Sequence, residues 1–217
     1  MKIISTIFAQ AIRFGTLKPS KSNSLYGRNL VRAFEEKYGF LESPKTVADF
    51  DVSKGITFLH GFFENRVVIE KAVLYYNGIV IETKSTTDDC VSIIADIIAW
   101  ANQNANFIFE VDLAMPKLYL SHFEVEVGIN LQGISKKFQM LSDTIDKCMI
   151  SYGEVGRKYK CSSLTFQLDP ASGGPTPFKF ERRAHQPFGS NLYFSSAPLR
   201  TQDHLDLLEL LEGLFIS

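Results

Sequence analysis

A hairpin signal in residues 67–83, which read VVIEKAVLYYNGIVIET, decides the fold. Two runs rich in β-branched and aromatic residues flank Asn77-Gly78, a pair that readily takes the positive φ angles of a type I′ turn. Residues 56–63, which read ITFLHGFF, are predicted to form the strand that precedes the hairpin. The sequence therefore predicts antiparallel pairing in this part of the chain.

Helical and strand patterns alternate outward from this hairpin. Four helices are predicted: one ending at Tyr38, one following the caps in 85–89 as far as Gln103, and two over 133–149 and 202–215. Further strands are predicted at 107–113, 118–131, 163–168, 178–184 and 191–196, with 3–14 as strand or short helix and 15–24 as a loop. We expect an α+β fold, in which an antiparallel or mixed sheet built from hairpins carries about four helices.

The composition is that of an ordinary globular protein. The chain has 217 residues, 45% hydrophobic and 22% charged, which suffices for a large core without metal or disulfide support. We expect one compact domain over 1–217, with a soft boundary near 150–162, where Gly, Pro and Ser become frequent. No repeat with a solenoid period is present.

Cysteine usage and hydropathy indicate a cytoplasmic protein. Cys90, Cys148 and Cys161 lie far apart without a paired CxxC spacing, which favours reduced thiols over a zinc ribbon or a disulfide framework. No run approaches the roughly 18 apolar residues that a membrane span requires. We therefore predict no membrane span.

One predicted strand carries chemistry-bearing residues on a single face. His122, Glu124 and Glu126 are two residues apart, and if the preceding strand is adjacent, Glu110 and Asp112 join them. The four acids are candidate catalytic residues, and His122, Glu124 and Glu126 are candidate metal ligands. This predicts a metal-dependent hydrolase or nuclease with a divalent cation, and no other cofactor is expected.

The alternative interpretation of that face is a solvated side of an antiparallel sheet. Lys179, Glu181 and Arg183 share one face of a later predicted strand and could pair with the acids across strands.

Basic residues cluster near the start of the chain. Lys18, Lys21, Arg28 and Arg32 lie in and after a loop that leads into a helix, where phosphate could bind. The chain has neither GxxxxGK[ST] nor GxGxxG, so a nucleotide site is not indicated. Nucleic acid stays an alternative partner of this basic segment.

Cys90 follows Asp88 and Asp89 at a predicted helix start. A helix N-terminus lowers a thiol pKa and could make Cys90 a nucleophile activated by His60, whereas the two carboxylates act in the opposite direction.

The last helix has more large apolar residues than a one-sided stripe needs. Such a helix must be buried on two sides, by its own domain or by a second subunit, and Leu207, Leu210, Leu211 and Leu214 are the candidate interface residues. The leading hypothesis is a non-catalytic interaction or assembly module of an intracellular complex. A small-molecule sensor, with a pocket between sheet and helices, is the second alternative beside the metal enzyme.

The helix predicted at 133–149 is amphipathic, with Ile134, Phe138, Leu141, Ile145 and Cys148 at helical spacing.

Overall fold

The structure is a computed structural model that describes residues 1–19, 27–104, 107–128, 131, 136–154, 156 and 158–216. Within these residues, four helices and nine strands form, and the strands are antiparallel in one sheet. The helices are α1 (Gly27–Tyr38), α2 (Thr87–Asn104), α3 (Lys136–Ser151) and α4 (Thr201–Ile216). The strands are β1 (Lys2–Pro19), β2 (Ile56–Phe63), β3 (Val67–Tyr75), β4 (Gly78–Thr83), β5 (Phe107–Val111), β6 (Leu118–Glu126), β7 (Ser163–Phe166), β8 (Phe178–Arg182) and β9 (Leu192–Ala197). The predicted α+β class is confirmed.

The long strand β1 has two successive partners on one side. The sheet order is β2-β3-β4-β1-β6-β9-β8-β7, and β5 also pairs with β1. Residues 9–14 of β1 pair with β4, and residues 15–19 pair with β5. The loop predicted over 15–24 is therefore wrong for 15–19, and 20–24 lie outside the described residues. A Cβ on Gly15 would lie 2.4 Å from the Phe109 ring, so the absence of a side chain permits the close approach of β5.

The β3–β4 hairpin is confirmed, but its predicted type I′ turn is wrong. The two-residue loop is Tyr76-Asn77, and neither Asn77 nor Gly78 is among the residues with positive φ. The neighbouring strand holds this loop, because the amides of Gly15 and Leu17 donate to the carbonyls of Asn77 and Tyr76 at 3.1 and 2.9 Å. Hydrogen bonds from β1 therefore override the type I′ turn that the Asn-Gly pair favours locally.

The chain divides into two compact units. The N-terminal unit comprises Thr6–Ser121 with Pro198–Thr201, and the C-terminal unit comprises Met1–Ser5, His122–Ala197 and Gln202–Ser217. The single domain over 1–217 with a boundary near 150–162 stays a prediction, and the division in the structure falls at other positions.

Both units use the same order of elements. The order β1-α1-β2-β3-β4-α2 recurs as β6-α3-β7-β8-β9-α4. Strands β4 and β9 begin at residues 78 and 192, and helices α2 and α4 begin at 87 and 201, so both pairs are 114 residues apart. This repeat is much longer than a solenoid period, so it is not visible as a short periodicity in the sequence.

In the N-terminal unit, α1 and α2 pack on the sheet through aromatic and aliphatic side chains. Phe34 stacks on Phe58 with 5.2 Å between ring centroids, and its edge meets Trp100 at 5.3 Å. The Tyr38 hydroxyl donates to Asp96 at 2.7 Å, which joins α1 to α2. Val91 of α2 is exposed.

In the C-terminal unit, the core lies between β6, β8, β9 and α4. Phe123 and Val125 are buried, while Glu124 is half-buried and Glu126 is exposed, so the predicted alternation of this strand is confirmed. Leu113 lies beyond β5, which ends at Val111, and is 86% exposed.

Candidate functional site

The predicted acidic face is not assembled as expected. Strand β5 pairs with β1, whereas the neighbours of β6 in the sheet order are β1 and β9, so β5 and β6 are not adjacent. Glu110 and Asp112 therefore do not join the row of His122, Glu124 and Glu126 through strand pairing. Across the part of the chain that the structure describes, no group of three or more His, Cys, Asp and Glu side chains could hold a metal ion.

Three of the four candidate catalytic acids have local partners. Glu110 Oε2 lies 2.5 Å from Lys18 Nζ, and Asp112 Oδ1 accepts the Ala114 amide at 2.9 Å. Glu124 lies 3.3 Å from the Arg183 Nε, which is one of the predicted cross-strand pairs. Glu126 is exposed. These contacts fit the interpretation of a solvated sheet face, and the catalytic roles stay predictions.

His122 is half-buried on β6, and its ring meets the edge of Phe194 at 5.4 Å between centroids. Burial lowers the pKa of His122. Its charged form is therefore disfavoured in the folded protein.

The candidate anion-binding residues are paired where their side chains are described. Lys18 pairs with Glu110, and Arg32 Nε lies 2.8 Å from Glu36 in the next helical turn. Lys21 and the side chain of Arg28 lie outside the described residues, so phosphate binding there stays a prediction.

Cys90 is a buried thiol at the start of α2. Its Sγ lies 3.4 Å from Thr83 Oγ1 and 3.5 Å from the carbonyl oxygen of Ala9. Burial, with a smaller contribution from Asp89, raises the pKa of Cys90 to about 11. A thiol that is fully protonated at neutral pH is a poor nucleophile.

A buried serine–histidine pair was not predicted from the sequence. Ser195 Oγ lies 2.8 Å from His204 Nε2 and also donates to the carbonyl of Lys179 at 3.0 Å. Because the hydroxyl proton is used for Lys179, His204 donates to Ser195 and does not activate it. The pair lies in the core, where the His204 ring packs 4.9 Å from Phe123. The repeat is the signal that could have found it, since His204 occupies in α4 the position of Cys90 in α2.

The four predicted interface leucines of α4 divide between core and surface. Leu211 is buried with Leu208 in the C-terminal unit, and Leu207 is half-buried. Leu210 and Leu214 are 59% and 62% exposed. The exposed pair shares its side of the helix with Asp203 and Asp206, which are exposed carboxylates.

Helix α3 has its apolar side outward. Ser142 and Asp146 face the interior, where Asp146 accepts the Tyr159 amide at 2.8 Å and lies 3.6 Å from Lys158 Nζ. The described apolar residues of the predicted amphipathic pattern are exposed or half-buried. We call the following set the α3 stripe: Phe138 (40% exposed), Leu141 (59%), Ile145 (half-buried), Cys148 (exposed) and Tyr152 (76%), which lies just beyond the helix.

The spacing of the α3 stripe is that of a coiled-coil seam. Its members follow one another by three, four, three and four residues, which is the a/d pattern of two heptads. Between Phe138 and Tyr152, the positions beside the seam are held by uncharged residues, namely Ser142, Thr144, Met149 and Ser151. The stripe is the candidate functional site, because it pairs an exposed apolar surface with a geometry that fits another helix.

No family model matches this sequence, and no curated protein matches it. Among the described residues, no helix has both the length and the hydropathy that crossing a membrane requires.

Proposed function

We propose that this protein is an interaction module that assembles with a second copy of itself through α3. The observation that carries the proposal is the orientation of α3, whose apolar seam faces solvent while Ser142 and Asp146 face the interior. An exposed apolar stripe costs free energy in water, and a partner that covers it recovers the hydrophobic contribution.

Charge favours a second copy as the partner. Residues beside a coiled-coil seam select the partner through their charges, and those beside the α3 stripe between Phe138 and Tyr152 are neutral. Two α3 helices can therefore face each other without like-charge repulsion. The exposed leucines of α4 are less suited to self-pairing, because Asp203 and Asp206 would be brought against their own copies.

The interface is hydrophobic in character and has no reaction of its own. Its centre is Leu141 with Ile145, flanked by Phe138 and Cys148. Large apolar side chains at the centre of an interface contribute most of the binding free energy when they are fully desolvated. We place the assembly in the cytoplasm, in keeping with three cysteines that are all free.

Light scattering coupled to size exclusion tests the proposal. The wild-type protein is expected at about 49 kDa, twice the chain mass of 24.5 kDa, and Leu141→Asp at the mass of one chain. Leu41→Asp is the matched control, because Leu41 is 75% exposed and lies outside α3. That variant should keep the mass of the wild type.

Two outcomes contradict the proposal. A wild-type protein that stays at 24.5 kDa up to high concentration would exclude self-association. A dimer that survives Leu141→Asp but dissociates with Leu210→Asp would move the interface to α4.

A further inference from the structure

A groove in the N-terminal unit combines an apolar wall with two cations. It has a volume of about 170 Å³ and lies beside β1 and α2. Val91, Ile94 and Ile98 of α2 form the apolar wall, and Arg13, Lys117 and Tyr119 supply polar groups.

Arg13 has an unusual position for a cation. Side chains alternate along β1, so Arg13 extends the row of Ala9 and Ala11, which are both buried under α2. It pairs in register with Ile79, another buried residue. The Arg13 side chain thus leaves from the helix-covered face of the sheet, and the residue is half-buried.

Among the described residues, the Arg13 side chain has no counter-charge. No carboxylate or carbonyl there hydrogen-bonds or ion-pairs with the side chain of Arg13 or of Lys117, whereas Lys18, Lys37 and Arg32 each have an acidic partner. A partly buried charge without a partner is unfavourable, and an anion that enters the groove would remove that penalty. Arginine presents a planar pair of donors that matches a carboxylate.

We infer that the groove binds a small organic carboxylate with an apolar body, such as a medium-chain fatty acid or an aryl acid. The carboxylate lies between Arg13 and Lys117, and the apolar body lies along Val91, Ile94 and Ile98. A small groove with an apolar wall and few convergent polar groups is typical of ligand sites. The inference does not depend on the proposed dimer, whose residues belong to the C-terminal unit.

Titration calorimetry with sodium octanoate, below its micelle-forming concentration, tests the inference. We expect saturable one-to-one binding of octanoate. In NMR spectra, shifts of the Ile94 and Ile98 methyl resonances should locate the bound octanoate in the groove. Arg13→Gln should weaken octanoate binding about ten- to hundredfold, since a charge-assisted hydrogen bond is lost. Because Arg13 is unpaired, this variant should melt at or above the wild-type temperature.

Matched ligands and variants separate the two parts of the groove. Octan-1-ol lacks the charge, so it should bind more weakly than octanoate, and its affinity should be the same in Arg13→Gln as in the wild type. Val91→Ser should lower the affinity for both ligands. Arg32→Gln, which removes a cation outside the groove, should leave octanoate binding unchanged. The inference is overturned if octanoate does not bind, if Arg13→Gln binds it equally well, or if acetate or inorganic phosphate binds as tightly as octanoate.

Discussion

At the starts of α2 and α4, the side chains of Thr87 and Thr201 each accept a hydrogen bond from the other residue's backbone amide. The Thr87 amide donates to the Thr201 hydroxyl at 2.9 Å, and the Thr201 amide donates to the Thr87 hydroxyl at 2.8 Å. Amides in the first turn of a helix have no partner within the helix, so each threonine caps the other chain segment. The two residues are equivalent in the 114-residue repeat, and their contact is reciprocal.

Thr87→Val should destabilise the protein by about 1–3 kcal/mol, because the buried Thr201 amide loses its acceptor while the side-chain shape is kept. Thr165→Val is the matched control. The Thr165 side chain is exposed on β7, so a change within about 0.5 kcal/mol is expected. Urea denaturation measures both, and equal losses would contradict the capping role of Thr87.

Gly15→Ala should destabilise by about 1–3 kcal/mol or more, because the new methyl group would lie 2.5 Å from the Glu110 carbonyl oxygen and 2.4 Å from the Phe109 ring. Gly189→Ala is the control, since no atom lies within 4 Å of a Cβ placed there. Thermal melting compares the two variants. If Gly15→Ala melts with the control, the close approach of β1 and β5 is wrong.

The three cysteines should differ in their reactivity toward N-ethylmaleimide. Peptide mass spectrometry measures the extent of labelling of each cysteine at neutral pH. Cys90, with a pKa raised to about 11 by burial, should react only after unfolding. Cys148 lies in the α3 stripe and should react faster in Leu141→Asp than in the wild type. Cys161 lies outside the stripe and serves as the internal reference. Equal labelling of Cys148 in both proteins would contradict its protection by a second copy.

Stability should fall on mild acidification partly because of His122. Burial lowers its folded pKa below the unfolded value of about 6.5, so the unfolded chain binds more protons in the interval between them. The associated stability is complete above about pH 6.5 and is lost as the pH falls toward the folded pKa. His122→Gln should flatten this dependence in urea titrations. An NMR titration in which His122 shows the same pKa in the folded and urea-unfolded protein would refute the prediction.

The sequence predicted where helices and strands form better than it predicted which of them pair or pack together. Hairpin β3–β4 and the amphipathic pattern of α3 were correct because both signals are local. The turn at Asn77 was wrong because β1, some sixty residues earlier, donates to its carbonyl. The outward face of α3 was not predictable, since periodicity locates an apolar stripe without saying whether its own sheet covers it.

The candidate sites show the same limit. The alternation in 118–126 correctly located the acids, but the proposed cluster required β5 beside β6, and parity does not determine which strands pair. The contact between Lys18 and Glu110 joins residues 92 positions apart, and no local pattern encodes it. The sequence did not single out Arg13, because its lack of a side-chain partner among the described residues depends on the folded surroundings.

The division of the chain between the two units has a consequence for synthesis on the ribosome. Residues 1–5 belong with partners that begin at residue 122, and Pro198–Thr201 complete a unit whose other residues end at 121. At roughly 5–20 residues per second, the earliest residues wait several seconds for their partners while the nascent chain grows. Neither unit is complete before residue 201 has been translated, so β1 must stay unpaired along part of its length during elongation.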